Sequence, residues 1–256
     1  MLTYDMTGTP DGGHDVVLLH STVCDRRMWD SQYEAIAAAG HRVVRGDFRG
    51  FGDTPCGSGS YSDADDVLAL MDSAGMDRAV LIGASYGGRT ALEIALRAPG
   101  RVAGLVLLCA GLPGIPDSPE MTAFEEREVG LVEYGDLDEA AALSARTFLG
   151  PEADEKTLAA VAGMQLRAYE VQLAEAEEYS GDGEYDPAAL TAVTVPALVV
   201  SGDHDLPEFG AAADRLTELL PAARRLRLPW AGHLPGLERP AEIDALLTEY
   251  LAETPR

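Results

Sequence analysis

Short apolar runs alternate with helix-period stretches along most of this chain, and that alternation restricts the fold more than any other feature. "DVVLLH" (15–20), "HRVVRGDF" (41–48), "RAVLIGAS" (78–85), "VAGLVLLCA" (102–110), "PALVVSGD" (196–203) and "RRLRLPWA" (224–231) read as strands. Helical patterns near 30–39, 62–75, 87–98, 208–219 and 240–252 separate them. One of these, "YSDADDVLALMDSAG", carries its own start and stop, with Ser62 followed by acids and Gly75 closing the helix. Parallel strands need crossover connections of this kind. The expected fold is therefore α/β, a mostly parallel sheet of about seven strands flanked by helices. The opening "LTYDM" supplies one short antiparallel strand among them.

The alternation stops after Gly111. "GLPGIPDSPE" is rich in Pro and Gly, and the chain beyond it to about Pro187 reads as helices near 119–134, 137–149 and 152–179. The expected division is a core of 1–112 and 190–256 with a helical insertion over 113–189. An insertion between two strands of a parallel sheet sits over the strands' C-terminal ends, where such sheets bind ligands.

The insertion also holds most of the charge imbalance, with 19 acidic and 4 basic residues in a chain of net charge −24. A field of that sign repels phosphate backbones and excludes nucleic acid as a natural partner. No apolar run reaches the length of a membrane span, and "MLTYDMTGTPDGG" has neither stretch of a signal peptide. Cys24, Cys56 and Cys109 form an odd set without CxxC spacing, which argues against a disulfide framework or a zinc site. The expected setting is a reducing cytoplasm, and the expected partner a small molecule, bound by a monomer or homodimer.

The chemistry begins at "AVLIGASYGGRTALEIAL" (79–96). An apolar strand meets Gly83, Ser85 and Gly87, and a helix starts at once. Strand, G-x-S-x-G and helix in that order form the setting of a nucleophile elbow. Serine there takes a positive φ, so its neighbours must lack bulk, and the helix N-terminus offers N–H groups to developing negative charge.

A serine hydroxyl attacks once a base takes its proton, and five histidines are available. His14 in a polar turn and His41 at a strand start read as solvent-facing. His20 ends the second strand, and His204 lies between two acids. His233, set among Ala, Gly, Leu and Pro in "PWAGHLPGLERP", is the better base. A carboxylate must then fix the imidazole tautomer. "LVVSGDHDLPEF" offers Asp203 and Asp205. Asp205 lies further into the loop and is preferred, while Asp203 suits the strand end.

In the order Ser85, Asp205, His233, these residues resemble the triad of the α/β-hydrolase superfamily, in its small esterase, lactonase and cofactor-free haloperoxidase branch. "LLHSTVCDRRMW", "GDFRGFGDTP", "LIGASYGGRTALEIALRAPGRVAGLVLL", "SGDHDLP" and "AGHLPGLERP" follow as family landmarks in the family's order. The resemblance implies that 113–189 is a helical cap and that the backbone N–H groups of Thr22 and Tyr86 form the oxyanion hole. Ser21 departs from the pattern, since it stands where the family has glycine after the early histidine. "GDFRGFGDT" reads as structural, with Asp47 and Arg49 tying down a loop, and Trp29 and Trp230 read as core residues.

The implied activity is hydrolysis of an ester or lactone of a small or medium, largely apolar acyl compound through an acyl-enzyme, with no metal or organic cofactor. Phe124, Tyr134, Phe148, Met164 and Tyr169 are expected to shape the site. Arg26, Arg27 or Arg146 would be needed to admit an anion. The same triad could instead serve C–C cleavage, acyl transfer or cofactor-free rearrangement, or the fold could serve as a ligand-binding protein.

Overall fold

Two-residue alternation along the central strands explains why the sheet is covered on both faces. The computed structural model describes residues 1–9, 12–174 and 185–255. The chain runs through β1 (Tyr4–Thr7), β2 (Asp15–Leu19), α1 (Asp30–Ala38), β3 (Arg42–Gly46), α2 (Asp63–Ser73), β4 (Ala79–Ala84), α3 (Tyr86–Arg97) and β5 (Val102–Leu108). Three helices follow, α4 (Pro119–Tyr134), α5 (Leu137–Phe148) and α6 (Glu155–Ala174). The sheet resumes with β6 (Ala197–Gly202), α7 (Pro207–Leu219) and β7 (Ala223–Leu228), and the chain closes with α8 (Pro235–Glu238) and α9 (Pro240–Glu253).

The seven strands lie in the order β1-β3-β2-β4-β5-β6-β7. β1 is antiparallel to β3, and the other pairings are parallel. Leu81, Leu105 and Leu107 face one layer, where they meet Val67 of α2, Leu92 of α3 and Leu216 of α7. Val80, Ile82 and Val106 face the other layer, built on Ile36 of α1 with Leu247 and Leu251 of α9. Each such fully buried side chain stabilises the fold by about 1.5–3 kcal/mol. β3 and β4 flank β2, so the chain reverses its direction across the sheet between β2 and β4. The crevice beyond those two C-terminal ends is the topological switch point of the fold.

The helices between β5 and β6 have local causes. Ser118 Oγ accepts from Met121 N at 3.1 Å to start α4, and Gly135 ends that helix at φ 87°. Asp136 caps α5 through Glu139 N at 3.4 Å. Asp154 accepts from Thr157 N at 2.8 Å, which starts α6 after the expected residue 152. The expected helix over 175–179 lies outside the described residues. Among the described residues no helix is long and apolar enough to cross a membrane.

Three expectations need correction or refinement. His14 and His41 are buried rather than solvent-facing: His14 N donates to His41 Nδ1 at 2.9 Å, and the rings stack at 5.6 Å. Asp47 and Arg49 hold their loop through separate partners. Asp47 accepts from Arg26 N at 2.8 Å and Asp53 N at 2.9 Å and pairs with the Arg26 guanidinium, while Arg49 binds Asp66. Trp29 is a core residue, whereas Trp230 is half-buried under the Arg239 guanidinium at 4.6 Å.

The Asp47 carboxylate is fully buried and anchors the loop between β3 and α2. Truncating it in Asp47→Ala leaves Arg26 short of a buried partner, at an expected cost of about 3 kcal/mol. Urea unfolding reads this as a lower midpoint with an unchanged slope. An unshifted midpoint would mean that Asp5 and Asp53 alone satisfy Arg26.

Candidate active site

Ser85 stands between β4 and α3 with φ 51° and ψ −114°. The strain is imposed by how closely three backbone segments meet. A Cβ on Gly83 would lie 2.3 Å from Gly87 O, and one on Gly87 would lie 2.2 Å from Leu19 O at the end of β2. Hydrogen bonds lock the bend from both sides. Ser85 N donates to Leu108 O at 2.9 Å, and Ser85 O accepts from Gly88 N at 3.0 Å and Arg89 N at 3.1 Å. The hydroxyl is thereby held at the head of α3, facing a cavity.

His233 reaches the same cavity from the loop after β7. Its Nδ1 lies 2.8 Å from Asp205 Oδ2, and both side chains are 1% exposed. The carboxylate can only accept, so Nδ1 carries the proton and Nε2 is left as a base. Asp205 is itself fixed by Leu206 N, 2.7 Å from Oδ1. Asp203 faces outward and pairs with exposed Arg227 at 2.9 Å. The imidazole ring lies between Phe209 and Phe148, with centroids at 4.0 and 5.1 Å.

The loop after β2 is organised by His20. Phe48 N donates to its Nε2 at 2.9 Å, so the ring proton is on Nδ1 and goes to Ser21 O at 2.8 Å. His20 O in turn accepts from Gly87 N at 3.1 Å, tying this loop to the Ser85 bend. Ser21 and Thr22 line the cavity beside Ser85. Among the described residues the Thr22 N–H has no acceptor. Tyr86 is the first residue of α3, where helix geometry directs N–H groups past the serine.

Residues 16–246 match the model of the Alpha/beta hydrolase family. The chain belongs to that family. It is 31% identical over 98% of its length, and 96% of the relative's, to "Putative carbamate hydrolase RutD" of Variovorax paradoxus strain S110. Among solved structures, an enol-lactonase from Burkholderia xenovorans LB400 shares 26% identity at a TM-score of 0.79, with 98% and 96% of the two chains covered. A thermophilic esterase from Thermogutta terrifontis gives 27% identity and a TM-score of 0.79, covering 98% and 93%. These three are named as a carbamate hydrolase, a lactonase and an esterase, and this chain is an alpha/beta hydrolase.

The hydrolase cavity has a volume of about 550 Å³. Phe124, Phe148 and Tyr169 line it, as expected, but Met164 and Tyr134 do not. Met164 packs into the second core layer, and Tyr134 is 88% exposed at the end of α4. Arg26, Arg27 and Arg146 are also outside it, paired with Asp47, Asp25 and Glu139 respectively.

Sequence reasoning passed over Glu238. Its carboxylate accepts from Gly232 N at 3.0 Å and Leu234 N at 3.3 Å, bracketing His233, and burial raises its pKa above the usual carboxylate range. The available signal was an acid inside the Gly- and Pro-rich loop that holds His233. Cys109, Asp205 and His233 bring one ligand atom each within 4.8 Å of one another. They do not fit a metal. His233 and Asp205 are committed to each other, and burial, with the Asp205 charge, raises the Cys109 thiol well above its ordinary pKa, whereas a metal needs the thiolate.

Burial lowers the His20 pKa below its ordinary 6.5, against the raising effect of Ser21 O and Asp47. The unfolded ring takes a proton that the folded one resists. The stability due to neutral His20 is therefore complete above pH 6.5 and is lost as pH falls through the lower folded value. Unfolding free energy measured from about pH 7 to about pH 5.5 should fall, and His20→Gln should flatten that slope. Equal slopes in the two proteins would contradict the assignment.

Proposed function

We propose that the chain is a serine hydrolase of esters or lactones in which Ser85 is the nucleophile, His233 the general base and acid, and Asp205 the orienting carboxylate. The observation that carries this reading is the buried His233–Asp205 hydrogen bond of 2.8 Å in a loop facing the same cavity as Ser85. Alternatives in which Asp203 serves, or in which the serine is an ordinary turn residue, leave that pairing without a purpose.

His233 Nε2 takes the Ser85 proton as Oγ attacks the acyl carbonyl, and the charge on the resulting imidazolium is held against Asp205. The oxyanion is received by the N–H groups of Thr22 and Tyr86, each worth about 3 kcal/mol of barrier. His233 then gives its proton to the leaving alkoxide. Water enters along the same path, is deprotonated by His233, and releases the acid with Ser85 restored. No step calls for a metal or organic cofactor. Residues 113–189 act as a cap over the core of 1–112 and 190–256, a role supported by Phe124, Phe148 and Tyr169 in the cavity wall. Met121, Phe124 and Phe209 provide an apolar surface for a small or medium acyl compound. A reducing compartment suits the three free cysteines.

Hydrolysis of p-nitrophenyl butyrate and of a panel of small lactones tests this reading. Ser85→Ala should lower kcat on the order of 10⁴-fold or more, and Asp205→Asn by about 10³–10⁴-fold, with KM little changed. Undiminished turnover by Ser85→Ala would overturn it.

A further inference from the structure

We infer that the end of the cavity formed by α4 and α6 is a cation subsite, which takes an ammonium or guanidinium group carried by the substrate. The inference rests on the serine-hydrolase reading and adds a substrate class to it.

Glu125 and Glu128 of α4 line the cavity, and among the described residues no arginine or lysine does. Among the described residues neither carboxylate is ion-paired; the nearby Arg127 and Arg146 both go to Glu139. Glu128 Oε1 accepts from Tyr169 Oη at 2.5 Å and Ser144 Oγ at 3.0 Å, which fixes the carboxylate without neutralising it.

Two further side chains leave acceptors open. Gln165 of α6 lines the cavity at 7% exposure, and its Oε1 has no donor among the described residues. Glu208, on α7 next to the lining residue Phe209 and outside the lining itself, is 8% exposed, and among the described residues neither of its carboxylate oxygens has a donor. Partial desolvation, then the charges of Asp117, Glu128 and Glu208, raise the Glu125 pKa, so these acids act on one another.

Buried acceptors left without donors are costly, and buried carboxylates more so. The Tyr169 hydroxyl is already spent on Glu128, and the atom left open in the lining is an acceptor, Gln165 Oε1. A hydroxyl would satisfy that atom alone. An ammonium brings three donors and a guanidinium five, together with the opposite charge, while an anion is repelled.

Two isosteric pairs test the subsite from either side of the scissile bond: p-nitrophenyl 6-aminohexanoate against p-nitrophenyl heptanoate, and 4-aminobutyl acetate against pentyl acetate. In at least one pair kcat/KM for the ammonium ester should exceed that of the neutral ester by about tenfold, the scale of one charge-assisted hydrogen bond. That ratio should fall in Glu128→Gln and in Glu125→Gln, both at lining carboxylates, and Glu125 lies at the exposed mouth so that its change spares the core. Preference for the neutral ester in both pairs, or a ratio that neither variant moves, overturns the subsite. If no ester is turned over, the hydrolase reading fails by itself, and calorimetric binding of hexylammonium chloride against hexanol then decides the subsite. Tighter binding of the ammonium, lost in Glu125→Gln, sustains it; equal or weaker binding removes it.

Discussion

The close approach of α3 to the end of β2 is the constraint on which the rest of the site depends. Gly87 must lie against the Leu19 carbonyl for its N–H to reach His20 O, and that contact forces Ser85 to its φ of 51°. A non-glycine residue at φ above zero is costly and persists only where the surroundings determine it several times over. Here β2, β4, β5 and α3 all contribute, through Leu19, Gly83, Leu108 and Gly88. The strain at Ser85 thus sits where four elements of the sheet layer converge, beside the switch point of the strand order.

His233 is held by a different logic. Its loop has no regular structure, so its precision comes from partners outside it: Asp205 on the ring, Glu238 on the flanking amides, and Phe148 O accepting from His233 N at 2.8 Å. The last of these belongs to α5, so the helices between β5 and β6 position the base as well as enclosing the cavity. Motion of those helices would therefore be felt at the imidazole. The same helices carry Glu125, Glu128 and Gln165, which links the shape and charge of the ligand to the geometry of the base.

Much of this was legible in the sequence because it follows from local rules. Periodicity separated strands from helices, and the Gly-flanked serine between them marked the bend. The α4 boundaries at 119–134 were readable from Ser118 and Gly135. What escaped were matters of tertiary partnership. His14 looked solvent-facing in its polar turn and His41 at the start of a strand, yet the two rings stack on each other and both are buried. Asp47 and Arg49 were readable as residues that tie down a loop, but their partners, Arg26 and Asp66, lie on other elements and were not. Tyr134 and Met164 share the size of the cavity residues, and only the helix phase sends one to solvent and the other to the core. The unsatisfied acceptors of Gln165 and Glu208 have no counterpart in a one-dimensional pattern.

The central claim is that Ser85 is an activated nucleophile, and intact-mass measurement after treatment with a fluorophosphonate tests it most directly. The account requires a single adduct on the parent protein, absent in Ser85→Ala and lost in a folded His233→Ala. No adduct on the folded parent, or the same adduct on Ser85→Ala, would contradict it.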